Sequence, residues 1–447
     1  MLTNVDNTIQ GQGQLGANTI GVVNQSAGVI DGNVAGESLT IDASTAAGLD
    51  NDGTLRASGG GELAISGTAV DNENGVIEAL AGSTVAVSST SSIANGILRT
   101  EGTGVIEFSN FNTLTDVVLQ GNANVLSAAD LALTGTITNE GNVSVADGGS
   151  NTDIVIGTAA SLTGGGSVAL NGPNSRIFDT SGANGVLTNV DNTIQGQGQL
   201  GANTIDFDNQ LGGVVNANVS GQSLTLNTSG SDGLSNTGVF RAENGGTLQV
   251  IDSGFTNEGI VDTGVDSTVA FTTGVGNGLD GIFQGEGTIS SGGIITNEGQ
   301  IGPGSATAAT LTVLATELVL ADTSELVFDI EGATEFDVLS LTTTDALTLN
   351  GDLAIALNGF NPNASDTFTI LDANLDLLGS FDNVFNGSTL TTLGGEGTFV
   401  VNFGIDSAFA SNQIVLNNFV ATAIPEPATG AMFALVGLVG LTRRRRS

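Results

Sequence analysis

The sequence predicts an all-β protein whose body is a right-handed parallel β-helix, a solenoid of stacked strands. The first observation is an internal copy, because the nineteen residues 2–20 recur unchanged as residues 187–205. The second is a period: a glycine followed by a β-branched residue or leucine returns every 21 to 25 residues in both copies. The third is short apolar and polar alternation bounded by Asn, Asp, Gly and Ser, which is typical of strands between turns. Internal repeats of this period indicate a solenoid.

The composition argues against most kinds of catalytic and nucleic-acid-binding site. The 447 residues contain no Cys, His, Trp or Tyr, and the eight basic residues are all arginines. Without Cys or His the chain lacks disulfides, thiolate ligands and the commonest general base, so we expect no metal and no cofactor. The net charge of −38 opposes binding to phosphate backbones, so we expect no nucleic-acid partner.

Residues 1–305 form the repeat domain in this prediction, with duplicated blocks at residues 2–106 and 187–289. One rung cannot bury its own apolar side, but stacked rungs place Val, Ile and Leu in a continuous interior. With strands ~4.8 Å apart, about fifteen rungs would span on the order of 70 Å. Parallel crossovers favour a right-handed coil. Residues 107–186 keep the same pattern, so more of the same rod is expected between the copies.

Asparagine recurs in Thr-Asn-Glu-Gly phrases at residues 138–141, 256–259 and 296–299. Asn and Gly tolerate left-handed backbone conformations, so these phrases are expected at rung corners. Asn amides that repeat at the strand spacing can also hydrogen-bond to one another as ladders. The phrases therefore predict corners with stacked asparagines.

Residues 306–420 form a separate C-terminal β region, or cap, in this prediction. Eight Phe residues precede residue 300, whereas eleven follow it. Larger aromatic side chains suit the closure of a β-helix end, which otherwise exposes strand edges and apolar core. Within this region Asn350 and Gly351 separate two apolar stretches, a pattern that fits either a hairpin turn or a tight rung corner.

The same region contains Gly302-Pro303-Gly304 and further strand-like stretches at residues 311–313, 336–339, 359–360 and 367–371. With these motifs it resembles the terminal β region of autotransporter-like and filamentous-haemagglutinin-like repeat proteins. The resemblance implies a right-handed β-helical surface adhesin.

The tail, residues 421–447, carries the most specific pattern in the chain. A triplet, Pro425, Glu426 and Pro427, is followed by an apolar stretch at residues 428–441 and then by four arginines: Arg443, Arg444, Arg445 and Arg446. This pattern resembles the PEP-CTERM sorting signal of exported bacterial proteins, which is also catalogued as the ice-binding protein C-terminal domain. The resemblance implies recognition by exosortase, a membrane-embedded cysteine peptidase. It also implies cleavage near the triplet and delivery to the cell surface or extracellular matrix of a Gram-negative bacterium.

The apolar stretch of the tail predicts a short transmembrane helix. About fifteen helical residues rise only ~22 Å against a hydrocarbon core of ~30 Å, so the helix is short for a permanent anchor. The four arginines would stay on the cytoplasmic side and place the acidic body outside. The alternative is an ordinary single-pass anchor that is never processed. Because Met1 lies inside the copied unit, with no signal-like segment before it, we expect a truncated or misannotated start.

We predict an exported structural or adhesive protein of the cell surface or extracellular matrix, and not an enzyme. Its expected partners are exosortase, the membrane through the tail, and matrix polysaccharides or other surface proteins. Ice binding is one alternative, because a flat face of Thr arrays on a β-helix would order water. Thr is plentiful, but Thr-x-Thr does not return once per rung.

A β-helical polysaccharide-degrading enzyme is the other alternative, since such enzymes use paired carboxylates or an arginine base. Asp-x-Asp beside Gly and Asn is more often a turn cap, and sugar sites usually offer Trp or Tyr, which this chain lacks. The candidate side chains for such an activity are Asp50, Asp52, Asp206, Asp208, Arg56, Arg99 and Arg241.

Overall fold

A computed structural model of the chain describes residues 1–180, 182, 184–230, 233–304 and 307–422. Within these residues the chain forms strands and turns but no helix, and the strands wind into a β-solenoid of about fifteen turns. The predicted all-β fold and parallel β-helix are therefore confirmed. The right-handed sense of coiling stays a prediction.

The first copy consists of short strands, three on each turn. They are β1 (Leu2–Asn4), β2 (Thr8–Gly11), β3 (Gly13–Leu15), β4 (Val22–Asn24), β5 (Val29–Gly32), β6 (Ser38–Ile41), β7 (Leu49–Asn51), β8 (Thr54–Ala57), β9 (Glu62–Ser66), β10 (Ala69–Asp71), β11 (Val76–Ala79), β12 (Thr84–Ser88), β13 (Ser92–Ala94), β14 (Ile97–Thr100) and β15 (Val105–Phe108).

The stretch between the copies includes three longer strands. Its strands are β16 (Phe111–Thr115), β17 (Val118–Gln120), β18 (Asn122–Val125), β19 (Asp130–Asn139), β20 (Asn142–Val145), β21 (Thr152–Thr163) and β22 (Ser167–Phe178).

The second copy returns to short strands apart from its second strand. Its strands are β23 (Gly185–Asn189), β24 (Thr193–Leu200), β25 (Ile205–Asn209), β26 (Val214–Ala217), β27 (Ser223–Leu226), β28 (Leu234–Asn236), β29 (Val239–Ala242), β30 (Thr247–Val250), β31 (Thr256–Asn257), β32 (Ile260–Thr263), β33 (Thr268–Phe271), β34 (Val275–Asn277), β35 (Ile282–Gly285) and β36 (Thr288–Ser291).

The remaining strands finish the solenoid and form its closed end. They are β37 (Ile294–Asn297), β38 (Gln300–Pro303), β39 (Thr310–Leu314), β40 (Glu317–Leu320), β41 (Glu325–Asp329), β42 (Val338–Thr342), β43 (Thr348–Leu349), β44 (Asp352–Ala356), β45 (Phe368–Ala373), β46 (Leu378–Gly379), β47 (Thr389–Thr391), β48 (Gly397–Asn402) and β49 (Gln413–Ala421).

The strands stack into three faces, called A, B and C, with one strand of each turn on each face. Face A starts with β1, β4 and β7, face B with β2, β5 and β8, and face C with β3, β6 and β9. The pairing along each face is parallel, so equivalent residues of successive turns lie directly above one another. Side chains of the same type therefore form columns along the rod.

Alternation within each strand sends apolar side chains into the rod and polar side chains to its surface. In β9, for example, Leu63 and Ile65 are buried between the outward-facing Glu62, Ala64 and Ser66. In the second copy the interior also contains a stack of four aromatic rings, whose neighbouring centroids lie 5.8, 6.1 and 6.1 Å apart. Such separations are in the range of favourable aromatic pairs. The stacked rings are Phe240, Phe255, Phe271 and Phe283.

The two identical segments pair with their neighbours in the same register but lie on different faces of the rod. Asn4 in β1 pairs with Asn24, and its copy Asn189 in β23 pairs with Asn209. Strand β1 belongs to face A, whereas β23 stacks on β21 in face B. The long strands β19, β21 and β22 each cover two faces, so the 22 strands that precede β23 make 25 strand segments, which is eight turns of three and one segment more. The second copy is therefore rotated by one face about the rod.

Two ladders of buried asparagines run along the rod. In each, Nδ2 of one Asn donates a hydrogen bond to Oδ1 of an Asn one turn further on, at 2.6 to 3.0 Å. The prediction of stacked asparagines is confirmed for the phrases around Asn257 and Asn297. Asn139 instead donates to Oδ1 of Asn192 at 2.8 Å. The first ladder is Asn4, Asn24, Asn51 and Asn72, and the second is Asn189, Asn209, Asn236, Asn257, Asn277 and Asn297.

Parallel stacking of the strands continues past residue 305, and among the described strands the first antiparallel pair is β45 with β49. Strands β47, β48 and β49 then form an antiparallel sheet at the end of the rod. The ring of Phe368 lies in the interior here and meets Phe336, Phe360 and Phe399 edge to face, with centroids 5.3, 6.4 and 5.8 Å apart. The division of the chain at residues 305 and 420 itself stays a prediction.

The Asn350-Gly351 pair forms a rung corner and not a hairpin turn. The strands on either side do not pair with each other, because β43 pairs with β46 and β44 pairs with β41, both in parallel. Gly351 has a φ of +67°, and a Cβ on it would lie 2.2 Å from the carbonyl oxygen of Ser324 one turn below. Only glycine fits this corner, since both the backbone conformation and the close approach exclude a side chain.

Candidate functional sites

Charged side chains one turn apart meet on the outer surface of the rod. Arg56, Glu78 and Arg99 occupy the same position on three successive turns of face B. Nε of Arg56 donates to Oε1 of Glu78 at 2.7 Å, and Nη2 of Arg99 donates to Oε2 at 2.5 Å. Burial alone would raise the pKa of Glu78, but the hydrogen bonds and charges of the two arginines outweigh it and lower that pKa below its ordinary value.

The other two arginines of the rod are also held by carboxylates. Arg241, the copy of Arg56, donates from Nε to Asp262 at 3.0 Å. Arg176 binds Asp153 through two parallel bonds, Nε to Oδ1 at 2.8 Å and Nη2 to Oδ2 at 2.7 Å. Every arginine in the described part of the chain therefore belongs to an ion pair. None of these pairs uses an aspartate that the sequence analysis proposed for catalysis.

Of the four aspartates proposed from the sequence, Asp50 lies in β7, Asp206 and Asp208 lie in β25, and Asp52 follows β7. Asp206 accepts a hydrogen bond from the hydroxyl of Ser229. Asp208 accepts one from Nε2 of Gln210 at 3.0 Å, and Asp52 accepts one from Nδ2 of Asn74 at 3.0 Å. Asp50 is exposed on β7. The structure thus does not bring these carboxylates together with Arg56, Arg99 or Arg241 as a catalytic group.

A different carboxylate pair, which the sequence analysis missed, lies on face A. Asp130, Asp153 and Arg176 follow one another in register on successive turns. Burial, together with the charge of Asp153 and a hydrogen bond to it, raises the pKa of Asp130. The guanidinium of Arg176 lies 4.3 Å from the ring centre of Phe178. The sequence signal for this cluster is the period itself, because opposite charges recur one turn apart.

Face A also carries a column of hydroxyl side chains in register through six successive turns. Neighbouring residues of such a column are separated by the strand spacing of ~4.8 Å. The sequence did not predict this column, because a Thr-x-Thr pattern needs two Thr residues on each turn and the column has one hydroxyl residue per turn. Its members are Ser223, Thr247, Thr268, Thr288, Thr312 and Ser340.

The grooves on the surface of the rod are shallow. A groove of about 480 Å³ runs along face B and is lined by Thr256, Gly276, Thr296 and Glu298 among others. Gly276 makes the groove, because its neighbours above and below, Thr256 and Thr296, both carry side chains. In the part of the chain that the structure describes, no group of three or more acidic side chains could hold a metal ion.

Asp337 is a buried carboxyl at the base of a loop that joins β41 to β42. It is 1% exposed, and it accepts hydrogen bonds from the backbone N–H groups of Ala309 and Asp329 at 2.9 and 2.8 Å. Burial raises the pKa of Asp337 to about 7. The two N–H donors oppose this shift, and the charges of Asp329 and Glu331 add to it. Sequence reasoning missed this group because nothing local marks one Asp among many as buried.

We expect Asp337 to make the stability of the rod fall as the pH rises. The folded pKa of about 7 lies above the ordinary value of about 3.9, so the folded state binds the proton more tightly. The stabilisation is complete below about pH 4 and is lost as the pH rises through about 7. Between pH 5 and pH 8 this group should lower the free energy of unfolding by about 2–3 kcal/mol.

Urea unfolding followed by circular dichroism at the two pH values measures this effect. The variant Asp337→Asn should lose that part of the pH dependence, because it cannot titrate. The control Asp352→Asn, at an exposed position on β44, should keep the wild-type difference. An equal pH dependence of wild type and Asp337→Asn would contradict the assignment.

The predicted sorting residues of the tail, Pro425 to Pro427 and the four arginines, lie outside the described residues, as does the predicted transmembrane helix. The last strand, β49, ends at Ala421, and the N–H of Thr422 donates to the carbonyl of Glu396 at 2.8 Å. The tail thus leaves the rod beside the turn between β47 and β48. The described residues contain no helix that is long and apolar enough to cross a membrane.

Comparison with protein families identifies the tail. Residues 423–446 match the PEP-CTERM protein-sorting motif. The match includes the Pro-Glu-Pro triplet, the apolar stretch and the four arginines, so the resemblance predicted from the sequence is confirmed. No curated protein matches the chain.

The PEP-CTERM motif implies an exported protein that exosortase, a membrane protein, sorts and processes. The motif begins two residues after the end of β49, so the sorting signal follows the closed end of the solenoid almost directly. The chain therefore combines two parts: a β-solenoid body and a C-terminal signal that is handled at the membrane.

Proposed function

We propose that the chain is a non-catalytic structural or adhesive element of the cell surface or extracellular matrix, released from the membrane when exosortase removes the tail. The observation that carries this proposal is the PEP-CTERM motif attached to the end of a regular solenoid. A solenoid presents an extended, repetitive surface, which suits lateral contacts to polymers and neighbouring molecules. Matrix polysaccharides and other surface proteins are the partners that we propose for it.

The charges of the rod favour a neutral polymer or a protein as its partner over an anionic molecule. The chain has a net charge of −38, and the four arginines of the rod are held in ion pairs with Glu78, Asp153 and Asp262. Few positive charges are thus left to bind phosphate or anionic sugars. Neutral polysaccharides, bound by hydroxyl and amide side chains along the turns, fit this surface best.

The geometry of the carboxylates favours a non-catalytic role. Glycosidases hold their two carboxyl groups roughly 5–9 Å apart, one on each side of the scissile bond. Asp130 and Asp153 hydrogen-bond to each other, and Asp153 is also bound by Arg176, so neither is placed across a substrate from the other. The charged column is better explained as a stabilising contact between turns.

A screen of the full chain against neutral and acidic matrix glycans tests this function. We expect binding to a neutral polymer without release of reducing sugar. Release of sugar that the variant Asp153→Asn abolishes, while Asp262→Asn retains it, would overturn the proposal in favour of a hydrolase. Both variants remove a carboxylate that binds an arginine on an outer face, so Asp262→Asn is a matched control.

The hydroxyl column of face A favours ice binding as a second candidate function. Regularly spaced hydroxyls on a rigid sheet can hold water in an ordered row, and Thr247, Thr268 and Thr288 are aligned in this way. Thermal hysteresis of the full chain measures this activity. If the column is responsible, Thr268→Lys should abolish hysteresis, and Thr40→Lys, on face C of the first copy, should leave it unchanged.

A further inference from the structure

The closed end of the rod exposes an unusual number of large apolar side chains. Seventeen such side chains are exposed in the part of the chain that the structure describes, and six of them lie between residues 378 and 420. Their exposed fractions range from 39% to 71%. Scattered single residues of this kind need no explanation, but a concentration in one region marks an interaction surface. The six are Leu378, Phe385, Leu393, Ile405, Phe409 and Val420, and we call them the cap apolar residues.

Hydrogen bonds join the loops that carry four of the cap apolar residues. The N–H of Phe403 donates to Oδ1 of Asn386 at 3.0 Å, which ties the loop of Ile405 to that of Phe385. The N–H of Leu377 donates to the carbonyl of Ser411 at 2.9 Å, which brings the chain after Phe409 beside Leu378.

Leu393 and Val420 belong to the same end of the rod and flank the point where the tail leaves. Val420 pairs with Thr398 in the antiparallel sheet, and the turn that contains Leu393 precedes β48. The N–H of Thr422 is bound to the carbonyl of Glu396 in that turn at 2.8 Å.

The segment that carries the cap apolar residues has few charged side chains of its own. Residues 378–422 contain three carboxylates, Asp382, Glu396 and Asp406, and no basic residue, whereas the whole chain has 46 Asp and Glu. A surface that approaches lipid must avoid repulsion from anionic headgroups and offer apolar side chains to the interface. Asp372 and Asp376 lie beside these loops and accept hydrogen bonds from Ser411, Asn412 and Gln413, so the exposed apolar side chains are the feature that distinguishes the cap from the rod.

The length of the tail limits how far the cap can be from the membrane. The six residues 422–427 separate the end of β49 from the apolar stretch that begins at Ala428. Fully extended, six residues span at most ~20 Å. If the apolar stretch lies in the membrane, as the proposed function requires, the end of the cap is held within ~20 Å of the lipid surface. This distance is about twice the ~10 Å between two packed sheets.

We propose that the cap apolar residues dock on the lipid surface of the membrane while the tail is still attached, and so hold the Pro425–Pro427 triplet at the interface where exosortase acts. This inference rests on the proposed membrane insertion of the tail. After cleavage the cap loses its tether, and the few exposed side chains give only weak affinity for lipid on their own. The rod is then released.

Single-cysteine labelling of the full chain tests the docking, because the chain has no Cys of its own. Phe385→Cys and Ile405→Cys would carry a polarity-sensitive fluorophore in vesicles of phosphatidylcholine and phosphatidylethanolamine. Leu211→Cys, at a position 85% exposed in the second copy, is the matched control on the rod. Ala434→Cys reports whether the apolar stretch of the tail has inserted.

With the tail inserted, we expect the probes at Phe385 and Ile405 to shift to shorter emission wavelength and to be quenched by brominated lipid, while the Leu211 probe stays water-like. Water-like emission at Phe385 and Ile405 together with a lipid signal at Ala434 would overturn the docking surface alone. A water-like probe at Ala434 would instead overturn the membrane insertion on which the proposed function rests. A shift at Ile405 without vesicles that grows with protein concentration would identify a second copy of the chain as the occupant and would also overturn the proposal.

Discussion

Replacing Asn209 with alanine is expected to lower the free energy of unfolding by about 3–5 kcal/mol. Asn209 is fully buried; its Nδ2 donates to Asn236 at 2.8 Å and to the carbonyl of Gly213 at 3.1 Å, and its Oδ1 accepts from Asn189 at 2.9 Å. The substitution removes the bond that Oδ1 of Asn236 accepts and one of the bonds that Nδ2 of Asn189 donates, both inside the rod. The carbonyl of Gly213 keeps its bond from the N–H of Val239. Each buried, unsatisfied polar group costs roughly 1–3 kcal/mol.

The internal copy provides a second test of the same contact. Asn24 makes the equivalent bonds in the first ladder, to Asn51 at 2.8 Å, to Gly28 at 3.2 Å and from Asn4 at 2.9 Å. Asn24→Ala should therefore destabilise the chain by a similar amount. Far-UV circular dichroism in urea is the suitable readout, because the chain has no Trp or Tyr.

Asn74 is the control for these two variants, since it is exposed and binds only an exposed carboxylate, that of Asp52. Asn74→Ala should change the free energy of unfolding by less than about 0.5 kcal/mol. If Asn24→Ala and Asn209→Ala cost no more than Asn74→Ala, the ladders do not hold the turns together. The stability would then come from the apolar columns alone.

Changing the four arginines, Arg443 to Arg446, together to serine is expected to reduce the amount of tail-cleaved protein by about tenfold or more. Each Arg costs roughly 2.5–3.5 kcal/mol to place in the centre of a membrane helix, so four of them form a barrier to translocation. Without this barrier the short apolar stretch can pass through the membrane or insert in the opposite direction. The triplet Pro425–Pro427 would then no longer be presented to exosortase at the outer side.

Replacing the same four residues with lysine is the control, because it keeps the charge and changes the side-chain chemistry. The chain would be expressed behind a cleavable export signal, and the processed fraction would be measured by immunoblotting of cell fractions. The positive-charge mechanism predicts normal processing of the lysine variant and failure of the serine variant. Failure of both would show that exosortase recognises arginine itself, and normal processing of both would show that the basic run is not needed.

The regular parts of this structure follow from the sequence because a solenoid repeats one local rule. The period of 21 to 25 residues predicts the stacked strands, and the Asn phrases predict the ladder through Asn257 and Asn297. The ion pairs were predictable in principle as well. Arg56 and Glu78 lie 22 residues apart in the sequence, and Arg241 and Asp262 lie 21 apart, which is one turn in each case.

The features that the sequence could not reveal depend on how many strand segments lie between two points. The rotation of the second copy from face A to face B arises because 25 strand segments, one more than eight turns of three, precede β23, and no single residue encodes that count. The burial of Asp337 is similar, since it follows from the packing of a loop between turns that are distant in sequence. The choice at Gly351 between a rung corner and a hairpin turn was open because both need a glycine with positive φ.

The most direct test of whether the tail is a cleaved sorting signal is mass spectrometry. The protein would be expressed with a complete export signal and recovered from the cell surface. The proposed function predicts that the recovered chain ends near Pro427 and that no peptide contains the four arginines. Intact protein ending in Ser447 in the surface fraction would mean that the tail is a permanent anchor.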